Sequence, residues 1–388
     1  MQLKGITWDH DRGYAPLIKT TEEFSKIYPE ISIQWDKRSL REFGDFPVSK
    51  LAQTYDLLII DHPFTGEASQ YGLYTDLKEY LSAQELQEIA DQAIGHSFEC
   101  YQYDGKQLAA PVDVAALVSA SRDDLLERYH LTRPSKLQEV YEFAKNLPEH
   151  LKIAIPLCAT DIWCVFLSLC ANLSGGNFID AHSGIDVAIG SKALDYIKRI
   201  KQISHEQSLS QNPIQILNLM ATTNEIVYCP FLFGYVNYSI PSNYPYTVHF
   251  YNSPLEHDKP APILGGAGIA ISAYSKHKKE AAEYVKYVTR ADIQETTYFL
   301  SGGQPSHKCA WTSQANNAVS ENFFSNTYWT IENAYLRPRV PGWNRFQEDA
   351  SVLINQQILE DKPSEFIVKS VNNIFKDYFL LNKFKMEV

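Results

Sequence analysis

YDLLIID, residues 55–61, is a nearly continuous apolar run held between two aspartates. An apolar run without alternation is typical of a central strand in a parallel sheet, because such a strand is covered on both faces. The run ends at His62-Pro63, where proline cannot continue a strand. The stretch therefore predicts a buried parallel strand, and the neighbouring segments must supply its partners.

The segments before this strand alternate between strand and helix patterns. Residues 3–8 and 31–35 are predicted to be short strands, and residues 14–28 between them place apolar side chains at helical spacing. Strand–helix–strand alternation indicates an α/β fold with open, mainly parallel sheets. In such sheets, ligands bind beyond the carboxyl ends of the strands.

Seven candidate ligand-binding residues lie at or just after these strand ends. They are Trp8, Asp9, His10, Arg12, Arg38, Asp61 and His62. The indole offers a face for stacking, and the polar groups offer hydrogen bonds to a ligand. The competing interpretation is a set of solvated loops whose arginines and aspartates pair with one another.

Seven further candidates come from later segments of the chain. Trp163 lies on a strongly apolar helix, where core packing competes with ligand contact, and Asp113 either binds ligand or caps a hinge. The glycine-rich stretch 265–268 is predicted to precede a strand, so it favours close backbone approach over a phosphate cradle. The remaining candidates are Phe233, Tyr235, Gly266, Gln304 and Trp343.

The composition is that of an acidic globular protein. The 388 residues carry a net charge of -11, and 45% of them are hydrophobic. An acidic chain has no general attraction for nucleic acid, so we predict no nucleic-acid partner. No apolar run is long enough for a membrane span. We expect a monomer without a cofactor.

Six cysteines occur in the chain, and none of them forms a CxxC pair. Free cysteines are usually buried, and a zinc site would need paired ligands at short spacing. We therefore predict reduced thiols, no structural disulfide and no bound metal. The first ten residues lack the basic and apolar regions of a secretory signal. Two locations stay open: outside the cytoplasmic membrane if the chain is a trimmed mature form, and the cytoplasm if Met1 is the native start.

Motifs of the common enzyme classes are missing from the sequence. The chain has no GxSxG, no HExxH, no P-loop and no GxGxxG that opens a helix. We therefore predict a binding protein and not an enzyme. The alternative is an enzyme on the same fold that uses His10, Asp61 and His62 for acid–base chemistry.

Several stretches occur in a characteristic order: YDLLIID (55–61), YGLYTDLKEYL (71–81), YDGKQLAAPVDVAALVSASRDDLLER (103–128), LGGAGIAISAYSKHKKEAAEYVKYVT (264–289), GGQPS (302–306) and RPRVPGWNRF (337–346). Together they resemble the extracellular solute-binding proteins of ABC importers, the family that includes maltose-binding and other sugar-binding proteins. The glycine-rich strand with its alanine-rich helix is the most specific of them. The resemblance in order covers nearly the whole chain.

This resemblance implies a two-lobed, periplasmic-binding-protein-like fold of type II with a ligand cleft between the lobes. Residues 1–112 and 262–308 would form lobe 1, and residues 113–261 and 309–388 would form lobe 2. The late strand that contains Ile269 would then pair within the sheet of lobe 1. The lobes would close by a hinge on a small molecule, and an ABC permease is the implied partner.

The chemistry of the ligand stays open between a sugar and an organic anion. The abundant Trp and Tyr side chains suit stacking against a sugar ring. Basic and imidazole groups near the predicted strand ends instead suit an anion; they are His10, Arg12, Arg38 and His62. The sequence slightly favours a polar organic ligand with a negative group, captured for ABC-type import. A cytosolic ligand sensor is the alternative role.

Overall fold

The computed structural model describes residues 1–39 and 48–381, which form a mixed α/β structure. The strands are β1 (Gln2–Trp8), β2 (Ser32–Arg38), β3 (Leu57–Ile60), β4 (Gln102–Tyr103), β5 (Lys106–Gln107), β6 (Ala110–Ser121), β7 (Lys152–Ile153), β8 (Ile179–Asp180), β9 (Gly184–Ile185), β10 (Ile226–Phe233), β11 (His249–Tyr251), β12 (Ala261–Ile271) and β13 (Ala334–Tyr335). The helices are α1 (Asp11–Ile27), α2 (Val48–Thr54), α3 (Thr65–Gln70), α4 (Ala83–Gln92), α5 (Asp123–Arg128), α6 (Leu137–Lys145), α7 (Ala159–Ser174), α8 (Val187–Ile203), α9 (Pro213–Thr222), α10 (Lys278–Val288), α11 (Ala291–Ile293), α12 (Lys308–Thr312), α13 (Gln314–Val319), α14 (Phe323–Glu332), α15 (Trp343–Leu359) and α16 (Ser364–Lys376).

The N-terminal strands form the parallel part of the main sheet. Strand β1 lies between β2 and β3, with Trp8 opposite Arg38 at its carboxyl end. All four residues of β3 are buried, which confirms the predicted central strand. Helix α1 begins earlier than its apolar spacing predicts, because the His10 side chain caps it by accepting a hydrogen bond from the backbone N–H of Arg12.

Two long strands join this parallel part to the rest of the sheet. The first half of β6 pairs with β12 and its second half pairs with β10, both antiparallel. The strand order is therefore β2-β1-β3-β12-β6-β10-β7, and the sheet is mixed, although its first three strands are parallel as expected. Ile269 of β12 lies opposite Ile59 of β3, which confirms the predicted pairing of the late strand.

The glycine-rich stretch 265–268 lies inside β12, which corrects the interpretation that it precedes a strand. At Gly266, φ is +111°, and a Cβ would lie 2.5 Å from the backbone oxygen of Asp113 on β6. Glycine is needed there because the two long strands approach too closely for a side chain. Residues 107–111 and 116–121 are each predicted from the sequence to be short extended segments, but residues 110–121 form one continuous strand, β6.

Helix α7 forms the centre of the largest core cluster. The Trp163 ring centroid lies 5.5 Å from that of Phe346 and 6.3 Å from that of Trp343, both on α15. Full burial of each large apolar side chain contributes about 1.5–3 kcal/mol to folding, so this cluster fixes α7 against α15. The helix ends at Gly175, where φ is 65°, as its sequence predicts.

The thiols and the surface add three observations. All six cysteines are free thiols, and four of them are buried. Within residues 1–39 and 48–381, no group of three or more His, Cys, Asp or Glu side chains could hold a metal ion. No helix in those ranges has both the length and the apolar character needed to cross a membrane.

Candidate ligand-binding cleft

A cavity of about 440 Å³ opens between the N-terminal strands and three helices. One side is lined by the ends of β1 and β3 and by the middle of β6. The other side is lined by the first turns of α7 and α9 and by one face of α15. Small-molecule sites have volumes of roughly 300–1,000 Å³, so this cavity is large enough for such a ligand.

Arg12 lies in one wall of the cavity, in the first turn of α1. Its Nε and Nη2 atoms donate to the two carboxylate oxygens of Asp113 at 2.8 and 2.5 Å, and its Nη1 donates to the Gly234 carbonyl at 2.7 Å. The guanidinium also lies 4.7 Å from the ring centroid of Tyr235. Burial acts to lower the pKa of Arg12, but the Asp113 carboxylate raises it above its ordinary value. Arg12 is therefore a fixed cation that ties α1 to β6 and to the end of β10.

A second ion pair, largely buried, joins Asp61, at the end of β3, to Arg337. Nη2 of Arg337 donates to both oxygens of Asp61 at 2.9 and 3.0 Å, and the backbone N–H of His62 donates to one of them at 2.8 Å. Burial acts to raise the pKa of Asp61, but the charge of Arg337, together with its hydrogen bonds, holds it well below its ordinary value. Nε of Arg337 is buried without a hydrogen-bond acceptor among the described residues. Both members of the pair are therefore charged, and the Nε–H of Arg337 is not used by the pair.

Three aromatic rings give the cavity an apolar wall. Trp8 covers Gly13, where a Cβ would lie 2.3 Å from the ring atom Cε2. Phe233 covers Gly265 in the same way, with 2.5 Å to its Cε1. Together with Tyr235 these rings offer flat apolar surfaces, which suit stacking against a ligand ring.

The opposite wall is polar. Asp161, in the first turn of α7, accepts a hydrogen bond from the Cys158 thiol at 3.0 Å. Burial and the adjacent carboxylate raise the pKa of this thiol, so it stays protonated. Asn212 caps α9 by accepting from the backbone N–H of Gln215, and Glu348 faces the cavity from α15. This wall can therefore both donate to and accept from the hydroxyl groups of a ligand.

The family model described as bacterial extracellular solute-binding protein matches residues 8–295 of the chain. The chain belongs to this family. A Deinococcus radiodurans protein described as a probable ABC transporter-binding protein is 31% identical over 90 residues, which is 23% of this chain and 21% of that protein. The chain thus matches about a fifth of the length of that curated relative.

Solved solute-binding proteins share the fold over almost the whole chain. The maltose-bound MalE3 of T. maritima has a TM-score of 0.82 at 18% identity and covers 97% of this chain and 99% of its own. An Agrobacterium radiobacter K84 solute-binding protein in complex with ribitol has a TM-score of 0.81 at 20% identity, covering 98% and 99%. One from Thermotoga lettingae TMO bound with alpha-D-tagatose has a TM-score of 0.81 at 17% identity, covering 96% and 99%. The likeness confirms the predicted two-lobed, type II periplasmic-binding-protein fold.

In this solute-binding protein, half of the predicted ligand-binding residues line the cavity. They are Trp8, Arg12, Asp61, Asp113, Phe233, Tyr235 and Gly266. His10 lies next to the lining, where its ring meets the ring of Tyr235 edge to face at 4.9 Å. Contact between these residues and a ligand stays a prediction.

Three predicted residues near the strand ends lie outside the lining. Asp9 pairs with Lys37 at 2.6 Å on the exposed surface. Arg38 ends β2, an edge strand of the sheet, and donates to the Ile59 carbonyl at 3.1 Å. His62 is completely buried beneath the cavity wall. The rule that ligands lie beyond strand ends does not separate the strands next to the cleft from those at the sheet edge.

Three other predicted residues have structural surroundings. Trp163 and Trp343 pack against each other in the core between α7 and α15. Gln304 is buried, where its side chain donates to the Val114 carbonyl at 2.7 Å and accepts from the backbone N–H of Val236 at 3.0 Å. Gln304 thus holds β6 to the segment after β10.

Several lining residues were not predicted from the sequence. Asp161 is a lone acid in a buried apolar helix, and that isolation is a signal that sequence reasoning could have used. Arg337 opens the RPRVPG segment, whose sequence indicates only the family resemblance and no ligand contact. Nothing in the sequence distinguishes Asn212, Gln215 or Glu348 from ordinary helix residues.

The geometry gives little support to the alternative of an enzyme that uses His10, Asp61 and His62 for acid–base chemistry. Burial, with the nearby charge of Arg12, lowers the pKa of His10 to about 4. Burial, with the charge of Arg337, lowers the pKa of His62 to about 4. Both imidazoles are therefore neutral at neutral pH, and neither lines the cavity.

Proposed function

We propose that this protein captures a small polyhydroxylated ligand, a sugar or a sugar alcohol, between its lobes and passes it to the permease of an ABC importer. The observation that carries the proposal is the cavity of about 440 Å³, which has an aromatic wall facing a polar wall. Apolar ring faces and converging polar groups suit a molecule with CH faces and hydroxyl edges. Maltose, ribitol and alpha-D-tagatose, the ligands of three solved relatives, have this chemistry.

The basic groups that favoured an anionic ligand are engaged with other parts of the chain. Arg12 and Arg337 are each bonded to a carboxylate of the same wall. Arg38 lies outside the lining, and the two imidazoles are neutral. Each cation of the described lining is therefore already paired with a carboxylate, and an anionic ligand would have to compete with that carboxylate.

The ligand would be held by closure of two lobes, which we assign as residues 1–112 with 262–308 and residues 113–261 with 309–388. Strand β6 supports a division near this point, because it pairs with β12 up to Ala116 and with β10 from Leu117 onward. Closure would bring the helical wall onto the strand ends and exclude water from the ligand.

Thermal-shift screening over sugars and sugar alcohols tests this function. A ligand at 100 times its dissociation constant should add about 2.7 kcal/mol of stability. Small-angle X-ray scattering should show a monomer whose radius of gyration decreases when that ligand is added. Phe233→Ala should weaken binding at least tenfold, whereas Phe366→Ala, on the exposed side of α16, should bind like the parent. Failure of the whole panel to stabilise the protein, or turnover of the ligand, would contradict the proposal.

We also propose that the protein works outside the cytoplasmic membrane, because the family is described as extracellular. Fractionation of the source cells, with antibody detection, should find it outside the cytoplasm. A cytoplasmic location would remove the import role and leave a ligand sensor with the same cleft.

A further inference from the structure

Three arginines occur within the nine residues RPRVPGWNR, 337–345, which we call the arginine segment. The segment follows β13 and enters the first turn of α15. Its Val340 and Trp343 are buried in the core cluster around α7. Pro338 and Pro341 restrict the backbone between these anchors, because the proline ring fixes φ. The segment is therefore a stiff connection that is anchored in the core of proposed lobe 2.

Two arginine side chains of the segment bind residues of proposed lobe 1. Nη2 of Arg337 donates to both carboxylate oxygens of Asp61, and this pair lines the cavity. Nη1 of Arg339 donates to the carbonyl oxygens of Glu99 and Gln102, at 2.6 and 2.8 Å. Hydrogen bonds from a charged donor are stronger than those between neutral groups. Both arginines therefore hold the segment against lobe 1.

The backbone of the arginine segment also contacts lobe 1. A Cβ on Gly66, in the first turn of α3, would overlap the carbonyl oxygen of Arg339. Glycine is needed at this position because it leaves room for the segment. Arg345 lies 3.9 Å from Glu67 of the same helix, but its side chain is exposed, so this pair adds little. The contact between the lobes therefore extends from the cavity wall to α3.

We propose that the arginine segment holds the two lobes in the closed arrangement, and that Arg339 is a positioning residue for ligand capture. This inference rests on the proposed function and its lobe assignment, because it names residues that control closure of the same cleft. Arg339 lies outside the cavity lining, so it acts through Arg337, whose pair with Asp61 lines the cavity. Contacts made between closed lobes raise the population of the state that holds ligand, and with it the apparent affinity.

The two rate constants of binding separate this role from a general structural one. If the lobes close after the ligand enters, contacts between the lobes slow its release and leave its entry unchanged. Arg339→Ala should therefore raise the dissociation rate constant about tenfold and change the association rate constant by less than about twofold. Stopped-flow tryptophan fluorescence with maltose, ribitol and alpha-D-tagatose measures both rate constants.

Two further variants serve as the rescue and the control. Both hydrogen bonds of Arg339 come from one nitrogen, Nη1, so the single ammonium of a lysine, with its three donors, can replace it. Arg339→Lys should therefore keep the dissociation rate constant within about threefold of that of the parent. Arg290→Ala is the matched control, because Arg290 binds Asp292 within lobe 1. It should leave both rate constants unchanged.

Small-angle X-ray scattering without added sugar tests the arginine segment independently of any ligand. Arg339→Ala should have a larger radius of gyration than the parent and than Arg290→Ala, because its lobes separate more readily. Gly66→Ala should change the radius in the same direction, since its new Cβ displaces the segment from α3.

The outcomes distinguish this inference from the proposed function. An unchanged radius of gyration in both Arg339→Ala and Gly66→Ala overturns the role of the arginine segment and leaves solute binding intact. A dissociation rate constant of Arg339→Ala equal to or below that of the parent also overturns it. If the radius increases in both variants but no sugar or sugar alcohol of the panel binds the parent, the role of the segment is supported and the proposed function fails.

Discussion

The guanidinium of Arg12 and the carboxylate of Asp113 form a two-point ion pair, 101 residues apart in sequence, at 2.8 and 2.5 Å. Both side chains are almost completely buried. If one partner is removed, water cannot reach the remaining buried charge to take its place. Each charge therefore depends on the other for its stabilisation. The pair thereby joins the first helix of the chain to the long strand β6 beside the cavity.

We expect Arg12→Met to lower the free energy of unfolding by about 3–5 kcal/mol, because it leaves Asp113 buried without its partner. Urea denaturation measures this loss. The double variant Arg12→Met/Asp113→Leu should recover most of it, since no buried charge is left. A single variant as stable as the parent would show that the pair is solvated in solution.

We expect Trp8→Ala to lower both stability and ligand affinity, because the ring is 4% exposed and packs on Gly13 while it lines the cavity. Loss of a buried tryptophan costs about 3–5 kcal/mol. Gly13→Ala is the more specific test, because its new Cβ displaces the Trp8 ring without removing it. Calorimetric titration should show weaker binding by both variants. Unchanged affinity in both would mean that Trp8 serves only the core.

We expect Gly266→Ala to destabilise the protein by about 3 kcal/mol or more, because strain at φ +111° adds to a clash with the backbone of Asp113. Gly72→Ala is the matched control. Gly72 also has a positive φ, +58°, but its Cβ would meet nothing within 4 Å, so the cost should be only about 1–2 kcal/mol. Equal losses in thermal unfolding would mean that β6 and β12 can separate there.

We expect stability to fall as the pH drops from 6.5 to 4, partly because of His62. The unfolded imidazole takes up a proton near pH 6.5, whereas burial and the charge of Arg337 lower the pKa of folded His62 to about 4. The unfolded state binds more protons in this window, so stability is lost as pH falls through it, by roughly 3 kcal/mol. His62→Gln should flatten that slope, leaving a remainder from His10. His182→Gln, at an exposed site, should not change it.

Sequence patterns predict much of this fold because a buried strand requires a run of apolar residues, and such a run is visible in the sequence. The apolar run 55–61 identified β3. The family resemblance predicted that the strand with Ile269 returns to the same sheet, and Ile269 lies there opposite Ile59. The glycine stretch was misplaced because close strand approach and turn formation both favour glycine. Only the pairing of β12 with β6 shows that these glycines serve close strand approach and not a turn.

The candidate site was half predictable for a similar reason. Trp8, Arg12 and Asp61 follow strands that end next to the cavity, so a topological rule finds them. Asp161 and Glu348 reach the cavity from helices that are distant in sequence. The direction in which those helices face is set by packing between α7 and α15, and no local pattern records it.

The last prediction uses the Cys158 thiol, which lines the cavity, as a reporter of ligand occupancy. Cys309 is the internal control, because it is also partly exposed but lies outside the cavity lining. All six thiols should react in unfolded, unreduced protein. The raised pKa of Cys158 makes its alkylation slow even without ligand, so the reaction is followed over hours by peptide mass spectrometry. In the folded protein, a saturating ligand should slow alkylation of Cys158 at least tenfold and leave Cys309 unchanged. Equal slowing of both thiols would indicate general stabilisation, and would argue that the ligand binds somewhere other than the cleft.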